Sequence, residues 1–195
     1  MLSPKKSLDI LRKTNALLEG HFVLSSGLHS SKYIQCAKLL SYPHLAEKIC
    51  KSLANKIRKS CKRIDLILAP AMGGIIIGYE IGRILKKETI FCERIRGKFT
   101  LRRGFKINKG SRVLIVEDVI TTGKSSMECV KLIKKNKAKL IGFAALIDRS
   151  SKKNLKIKTK IVSHLKIKVP TYKRDKLPKD LKLVPITSPG SRFIK

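Results

Sequence analysis

The sequence predicts an α/β fold: a doubly wound, mostly parallel sheet in a single domain of residues 1–195. Three observations carry that prediction. Short apolar runs alternate along the chain with stretches of helical periodicity. Three of those runs end in loops rich in glycine, hydroxyl or charged residues, and in a parallel sheet such loops share one edge. Finally, 195 residues are enough to bury one core of ordinary size.

Taken in order, Leu8 to Leu18 reads as an amphipathic helix. Leu45, Ile49, Leu53 and Ile57 form an i, i+4 stripe on a second helix starting near Pro43, where proline suits the first turn. Ile64 to Ala69 reads as a buried strand, Pro70 to Gly74 as a loop, and the following residues as a helix to about Lys86. Thr89 to Cys92 is a short strand and Val113 to Val116 another. A helix follows from near Lys124 to Asn136, then a long apolar strand from Leu140 to Ile147 that ends in Asp148-Arg149-Ser150. The lysine-rich stretch 152–160 is expected to be an exposed connection.

Composition narrows the possible classes. No apolar run approaches a membrane span, and the N-terminus has no apolar segment after Lys5 and Lys6, so a cytoplasmic location is expected. Five cysteines, Cys36, Cys50, Cys61, Cys92 and Cys129, stand at wide, irregular spacings that fit reduced thiols rather than a zinc site or disulfide framework. His21 and His29 are too isolated to argue for a metal. The net charge of +32 suits either a nucleic-acid binder or a lysine-rich chain of biased composition. The lysines sit in helix-face clusters such as Lys134-Lys135-Asn136-Lys137, which favours solvated lysines and no dedicated nucleic-acid partner. A basic surface would still steer polyanionic substrates.

The stretch from Val113 to Ser125 is the most informative. After four apolar residues come two adjacent carboxylates, Glu117 and Asp118, in a chain with only 13 acids. Val119 and Ile120 follow, and then Thr121, Thr122, Gly123, Lys124 and Ser125 lead into the helix. Hydroxyls, a glycine and free helix N–H groups suit a phosphate. The carboxylates would repel that phosphate and suit a neighbouring polyol or a metal-bound water. The Gly-Lys-Ser triplet is not a nucleotide P-loop, because Asp118 stands where that motif needs its first glycine. The alternative is an ordinary capped helix after a buried strand.

Three further segments offer chemistry. In Pro70-Ala71-Met72-Gly73-Gly74, Gly73 and Gly74 are expected to let backbone N–H groups approach a ligand, whereas Gly78 and Gly82 are expected to serve helix–sheet packing. Residues 93–105 carry five cations, Arg94, Arg96, Lys98, Arg102 and Arg103, with two glycines. That pattern suits a mobile flap over a polyanion, the alternative being a solvated hairpin. Arg149 suits a clamp on a substrate carboxylate or an internal pair with Asp148. Pro189 to Arg192 reads as a tight turn.

The Glu117–Ser125 loop resembles the phosphoribosyl-pyrophosphate (PRPP) signature of type I phosphoribosyltransferases at every position. The stretch Leu17 to Cys36, the PAMGG loop, ERIRGKFTLRRGF, EDVITTGKS, LIDRS and the closing PGSR are similar, in order, to the orotate phosphoribosyltransferase family. The resemblance implies a type I sheet with a small hood from about residues 1–40 and 165–195. It also implies transfer of phosphoribosyl from PRPP to N1 of orotate in pyrimidine biosynthesis, giving orotidine 5'-monophosphate and pyrophosphate. In that reading Glu117 to Ser125, Arg94, Gly73 and Gly74 bind PRPP, while Thr121 and Arg149 bind orotate. The catalytic cation is Lys98, Arg102 or Arg103. Mg²⁺ is the implied cofactor, bound mainly through PRPP and water, and a homodimer lends each site the neighbour's flap. This chain departs from many relatives in having no flap histidine, Ser25 in place of a lysine, and Tyr33 and Ile34 in place of two aromatics. Two alternatives share the loop: a PRPP-sensing regulator that binds nucleic acid, and a phosphoribosyltransferase for another base. No helix-turn-helix pattern supports the first, and Arg149 argues against the second.

Overall fold

A computed structural model describes residues 2–24, 26–151, 155–159 and 161–187. Helix α1 (Pro4–Lys13) starts with proline in its first turn and the Ser3 hydroxyl accepting the Lys6 N–H. It stops earlier than the apolar pattern predicts. The Thr14 hydroxyl donates to the Ile10 carbonyl, and Asn15 turns into a left-handed conformation at φ 53°. Leu17 and Leu18 therefore open strand β1 (Leu17–Val23), which pairs antiparallel with β2 (His29–Ile34). Next come α2 (Cys36–Leu40), α3 (Pro43–Ser60), β3 (Leu66–Pro70) and α4 (Gly73–Leu85).

Strand β4 (Glu88–Ile95) extends well past the predicted Cys92 and folds back as the hairpin strand β5 (Lys98–Leu101). Strand β6 covers Arg112–Ile120, so Glu117 and Asp118 lie within it rather than after it. The extension follows from pairing with the next strand over its whole length. Then come α5 (Lys124–Lys135), β7 (Lys139–Asp148), β8 (Ile161–Lys166), β9 (Thr171–Tyr172), α6 (Lys179–Lys182) and β10 (Ile186–Thr187).

The main sheet has the order β5-β4-β3-β6-β7-β8, parallel throughout except for β5. Side-chain alternation along its strands sorts two cores. Ile67, Leu114 and Val116 face α3 and α4, meeting Ile49, Leu53, Ile57, Ile77 and Ile81. Leu66, Leu68, Val113 and Ile115 face the other way, against Cys129, Val130 and Ile133 of α5. Both faces are covered, as predicted.

A second sheet, β10-β1-β2-β9, is built from the two ends of the chain. Isolated short strands with mixed polar residues gave no periodic signal, and β1, β2, β8, β9 and β10 were not legible as strands. Within this sheet His21 and His29 are buried and share a 2.7 Å hydrogen bond, with His21 Nδ1 3.0 Å from the Val184 carbonyl. They serve to tie the hood together. Gly78 and Gly82 match the packing expectation: a Cβ on Gly78 would come within 2.7 Å of the Ala69 Cβ. The expected turn at Pro189 to Arg192, and Ser25, lie outside the described residues.

Candidate active site

Parallel register brings three loops to one edge. Leu68 lies opposite Ile115 in β3 and β6, and Ile120 lies opposite Asp148 in β6 and β7. The Arg149 N–H donates to the Ile120 carbonyl at 3.0 Å, so the first residue after β7 touches the start of the 121–125 loop. The Ala71 N–H donates to the Cys92 carbonyl at 2.8 Å, fixing the loop after β3 against β4.

The two acids differ in setting. Glu117 is 8% exposed, and the Ser126 hydroxyl of α5 donates a short hydrogen bond to its Oε1. Burial pushes its carboxyl up to about 7; the Ser126 bond opposes that shift, and the neighbouring Asp118 adds to it. Asp118 is half-buried, and burial likewise raises it, against the Val119 N–H that donates to Oδ1 at 2.8 Å. A Cβ on Gly73 would fall 2.5 Å from Asp118 Oδ2, so glycine at this position lets the loop after β3 lie against the carboxylate. Gly73 is also the first residue of α4. A Cβ on Gly74 would meet Pro70 and the Val116 carbonyl at 3.1 Å, a packing constraint.

The 121–125 loop has the form expected of an anion site. Thr121, Thr122 and Lys124 are exposed and Ser125 half-buried, while Gly123 takes φ 72° as the residue before α5. Gly123 offers no capping side chain and the first turn holds no acid; the Lys124 N–H is met by the Thr122 hydroxyl at 3.4 Å, and among the described residues no side chain takes the N–H groups of Ser125 and Ser126, which suit an anion. Residues 155–159, part of the stretch expected to be an exposed connection, do more than connect. The Lys156 N–H donates to the Thr122 carbonyl at 2.8 Å, and Ile157 is 4% exposed, packed where a Cβ on Gly123 would sit 2.7 Å away. Leu155 and Ile157 alternate with lysines, a period-2 signal obscured by the charge around it.

Arg149 does not pair with Asp148. The Asp148 carboxylate accepts the Ser150 N–H at 2.8 Å and lies 3.6 Å from Lys166 Nζ. Among the described residues no acid forms an ion pair with Arg149. Burial pushes its guanidinium below the usual value, and Tyr33 from β2 acts in the opposite direction. Tyr33 packs against Phe22, with ring centroids 5.7 Å apart. A half-buried cation with no acidic partner among the described residues, beside an aromatic and an anion loop, is suited to a planar anionic ligand.

Residues 93–105 form the β4–β5 hairpin with its turn at Arg96-Gly97 and continue into a second turn at Arg103-Gly104. Arg94 is engaged by Glu128 of α5 at 2.8 Å, donates to the Gly97 carbonyl and lies 4.1 Å over the Phe99 ring. Arg103 makes two 3.1 Å hydrogen bonds to Glu93 and faces the Phe91 ring. Lys98 and Arg102 are exposed and form no ion pair among the described residues. Among the described residues an open concavity of about 310 Å³ lies between this segment, at Phe99 to Leu101 and Phe105, and Leu132 of α5, and others of about 420 and 460 Å³ lie farther off; none of the three is lined by residues 117–125 or Arg149.

The family described as phosphoribosyl transferase domain matches residues 40–173. The chain is 48% identical to the orotate phosphoribosyltransferase of Parvibaculum lavamentivorans, over 99% of this chain and 100% of that one. It is 44% identical to the orotate phosphoribosyltransferase of Caldicellulosiruptor saccharolyticus, over 96% and 97% of the two chains. Among solved structures, the orotate phosphoribosyltransferase of Aeropyrum pernix superposes with a TM-score of 0.69 at 25% identity, covering 82% of this chain and 92% of that one.

Proposed function

The chain belongs to the phosphoribosyl transferase family, and on that premise we propose that it transfers the phosphoribosyl group of PRPP to N1 of orotate. The observation that carries the choice of base is Arg149: a half-buried guanidinium with no acidic partner among the described residues, next to the anion loop. Orotate differs from uracil chiefly by a carboxylate, and a guanidinium meets a carboxylate with two parallel hydrogen bonds.

In this reading Thr121 to Ser125 and the first N–H groups of α5 hold the 5-phosphate. Glu117 and Asp118 accept hydrogen bonds from the ribose hydroxyls. Backbone N–H groups at Gly73 and Gly74, with Arg94 and the flap cations, neutralise the pyrophosphate as the bond from ribose C1 to its oxygen breaks. N1 of orotate forms the new bond to C1, with Thr121 and Arg149 orienting the ring. Orotate is already an anion at neutral pH, so the chain's work is positional and electrostatic rather than proton abstraction. Among the described residues no carboxylate holds Lys98 or Arg102, whereas Glu93 holds Arg103, which favours the first two over Arg103 for the charge that develops on the leaving group.

Mg²⁺ belongs to the proposal as the counter-ion of PRPP. Among the described residues no three His, Cys, Asp or Glu side chains stand together as a metal cage, and Mg²⁺ commonly keeps phosphate and water ligands. A homodimer is part of the same reading: Met72, Ile76 and Tyr79 of the loop and α4 are 82%, 53% and 66% exposed, an apolar face suited to a second copy. A cytoplasmic site of action completes it. Cys36, Cys50, Cys92 and Cys129 are buried thiols, in keeping with a reducing compartment.

The test is loss of orotate absorbance on mixing the protein with PRPP and Mg²⁺, with adenine, hypoxanthine and uracil as competing bases. Turnover of orotate alone supports the reading. Turnover of another base, or PRPP binding without turnover, overturns it.

A further inference from the structure

We propose that Ser126 is a positioning residue for PRPP, its buried hydroxyl donating to Glu117 and turning that carboxyl into place as an acceptor for the ribose. The inference rests on the reading of Glu117 as a ribose acceptor. It is carried by a contact that the sequence motif, which ends at Ser125, does not include.

Ser126 is fully buried in the first turn of α5, and the partner of its hydroxyl among the described residues is Glu117 Oε1. Glu117 projects from β6 toward that helix. The groups around it explain why one hydroxyl matters. Asp118, next along the strand, is a like charge, and Cys129 of α5 is the titratable group facing it from the helix. Ala145 is its register partner on β7. No cation is among the groups that shift it. A carboxylate in that position is penalised by burial and by its neighbour, and among the described residues the Ser126 hydroxyl is the one side-chain donor that offsets the penalty.

The hydroxyl has two effects. It biases Glu117 toward the charged form, which accepts rather than donates hydrogen bonds. It also occupies Oε1 and leaves Oε2 as the oxygen able to meet a ribose hydroxyl. Because Ser126 sits on the same helix that presents N–H groups to the phosphate, the helix couples the phosphate end of PRPP to the ribose end through one side chain. Ser126 touches no substrate atom in this scheme and acts only through Glu117.

The experiment measures PRPP dissociation constants with Mg²⁺ from pH 7 to pH 9 for the wild-type protein, Ser126→Ala, Ser126→Cys, Glu117→Ala and the Ser126→Ala/Glu117→Ala double variant, with melting temperatures for each. Ser126→Cys keeps nearly the same shape with a poor donor, so it stands in if the alanine variant folds badly. The expected result is a roughly tenfold weaker affinity at pH 7 for both Ser126 variants that shrinks toward wild type at pH 9, as Glu117 ionises without help. In the Glu117→Ala background the Ser126 change should add less than about twofold, since its target is gone. A loss that is the same at every pH, or that persists in the Glu117→Ala background, means packing alone and overturns the inference. Wild-type affinity in Ser126→Ala overturns it as well, while weak binding by Glu117→Ala in the same series leaves the ribose reading intact. Unchanged binding by Glu117→Ala defeats the ribose reading itself.

Discussion

Replacing Arg149 by Ala is the sharpest test of substrate identity, because the structure fixes what the change leaves behind. Asp148 keeps the Ser150 N–H and Lys166, so no carboxylate is orphaned. The backbone bond from residue 149 to the Ile120 carbonyl does not involve the side chain and survives. The guanidinium is half-buried without an acidic partner among the described residues, so removing it relieves a desolvation cost rather than breaking an ion pair. Stability should therefore change by less than about 1 kcal/mol, within the range of an ordinary surface substitution. Orotate, by contrast, loses two charge-assisted hydrogen bonds, on the order of 2–4 kcal/mol of transition-state binding, or roughly 30- to 700-fold in kcat/KM. PRPP contacts other residues, and its dissociation constant should stay within about twofold. Steady-state kinetics with orotate, PRPP titration and thermal melting of the one variant give all three quantities. Equal damage to both substrates together with a lowered Tm would refute the clamp and return Arg149 to a structural role.

Three further outcomes are expected. Glu117→Gln with Asp118→Asn should preserve the fold but weaken PRPP binding by about one to two decades for each charged hydrogen bond lost, at roughly 1.5–3 kcal/mol apiece; calorimetric titration reads it, and wild-type affinity would sink the ribose assignment. Lys98→Ala and Arg102→Ala should lower turnover far more than Tm, because these exposed cations hold no ion pair among the described residues, whereas a readily unfolded variant would make the segment structural. His164 supplies a pH signature. It is 4% exposed, its Nε2 bonds Ser7 and its Nδ1 has no partner among the described residues, and burial with nearby Lys56 holds it down at about 4. The unfolded chain takes up that proton first, so stability is full above about pH 6.5 and falls as pH drops toward 4, by roughly 3 kcal/mol at most. Melting of wild type and His164→Gln across pH 4–7 checks it: the variant should lose less stability on acidification.

The local grammar of this protein was legible along the chain. The i, i+4 stripe of Leu45, Ile49, Leu53 and Ile57 specified α3, and the apolar runs at 64–69, 113–116 and 140–147 specified the central strands, because burial on both faces of a parallel sheet demands them. The Glu117–Ser125 motif was complete in sequence, since an anion loop needs particular residue types at adjacent positions. Contacts between segments far apart were not legible. The short hood strands depend on partners some 140 to 165 residues away, so β1, beginning at Leu17, was absorbed into a predicted helix. Whether Arg149 pairs with its neighbour or is kept for a ligand was open until Lys166 and Ser150 were seen to satisfy Asp148. The closure of Ile157 over Gly123, the engagement of Arg103 by Glu93 and the Ser126 hydroxyl beneath Glu117 were likewise decided only by packing. Periodicity and motif spacing record what each segment needs from its surroundings. Which distant side chain meets that need depends on strand order and register, which emerge only when the whole core closes.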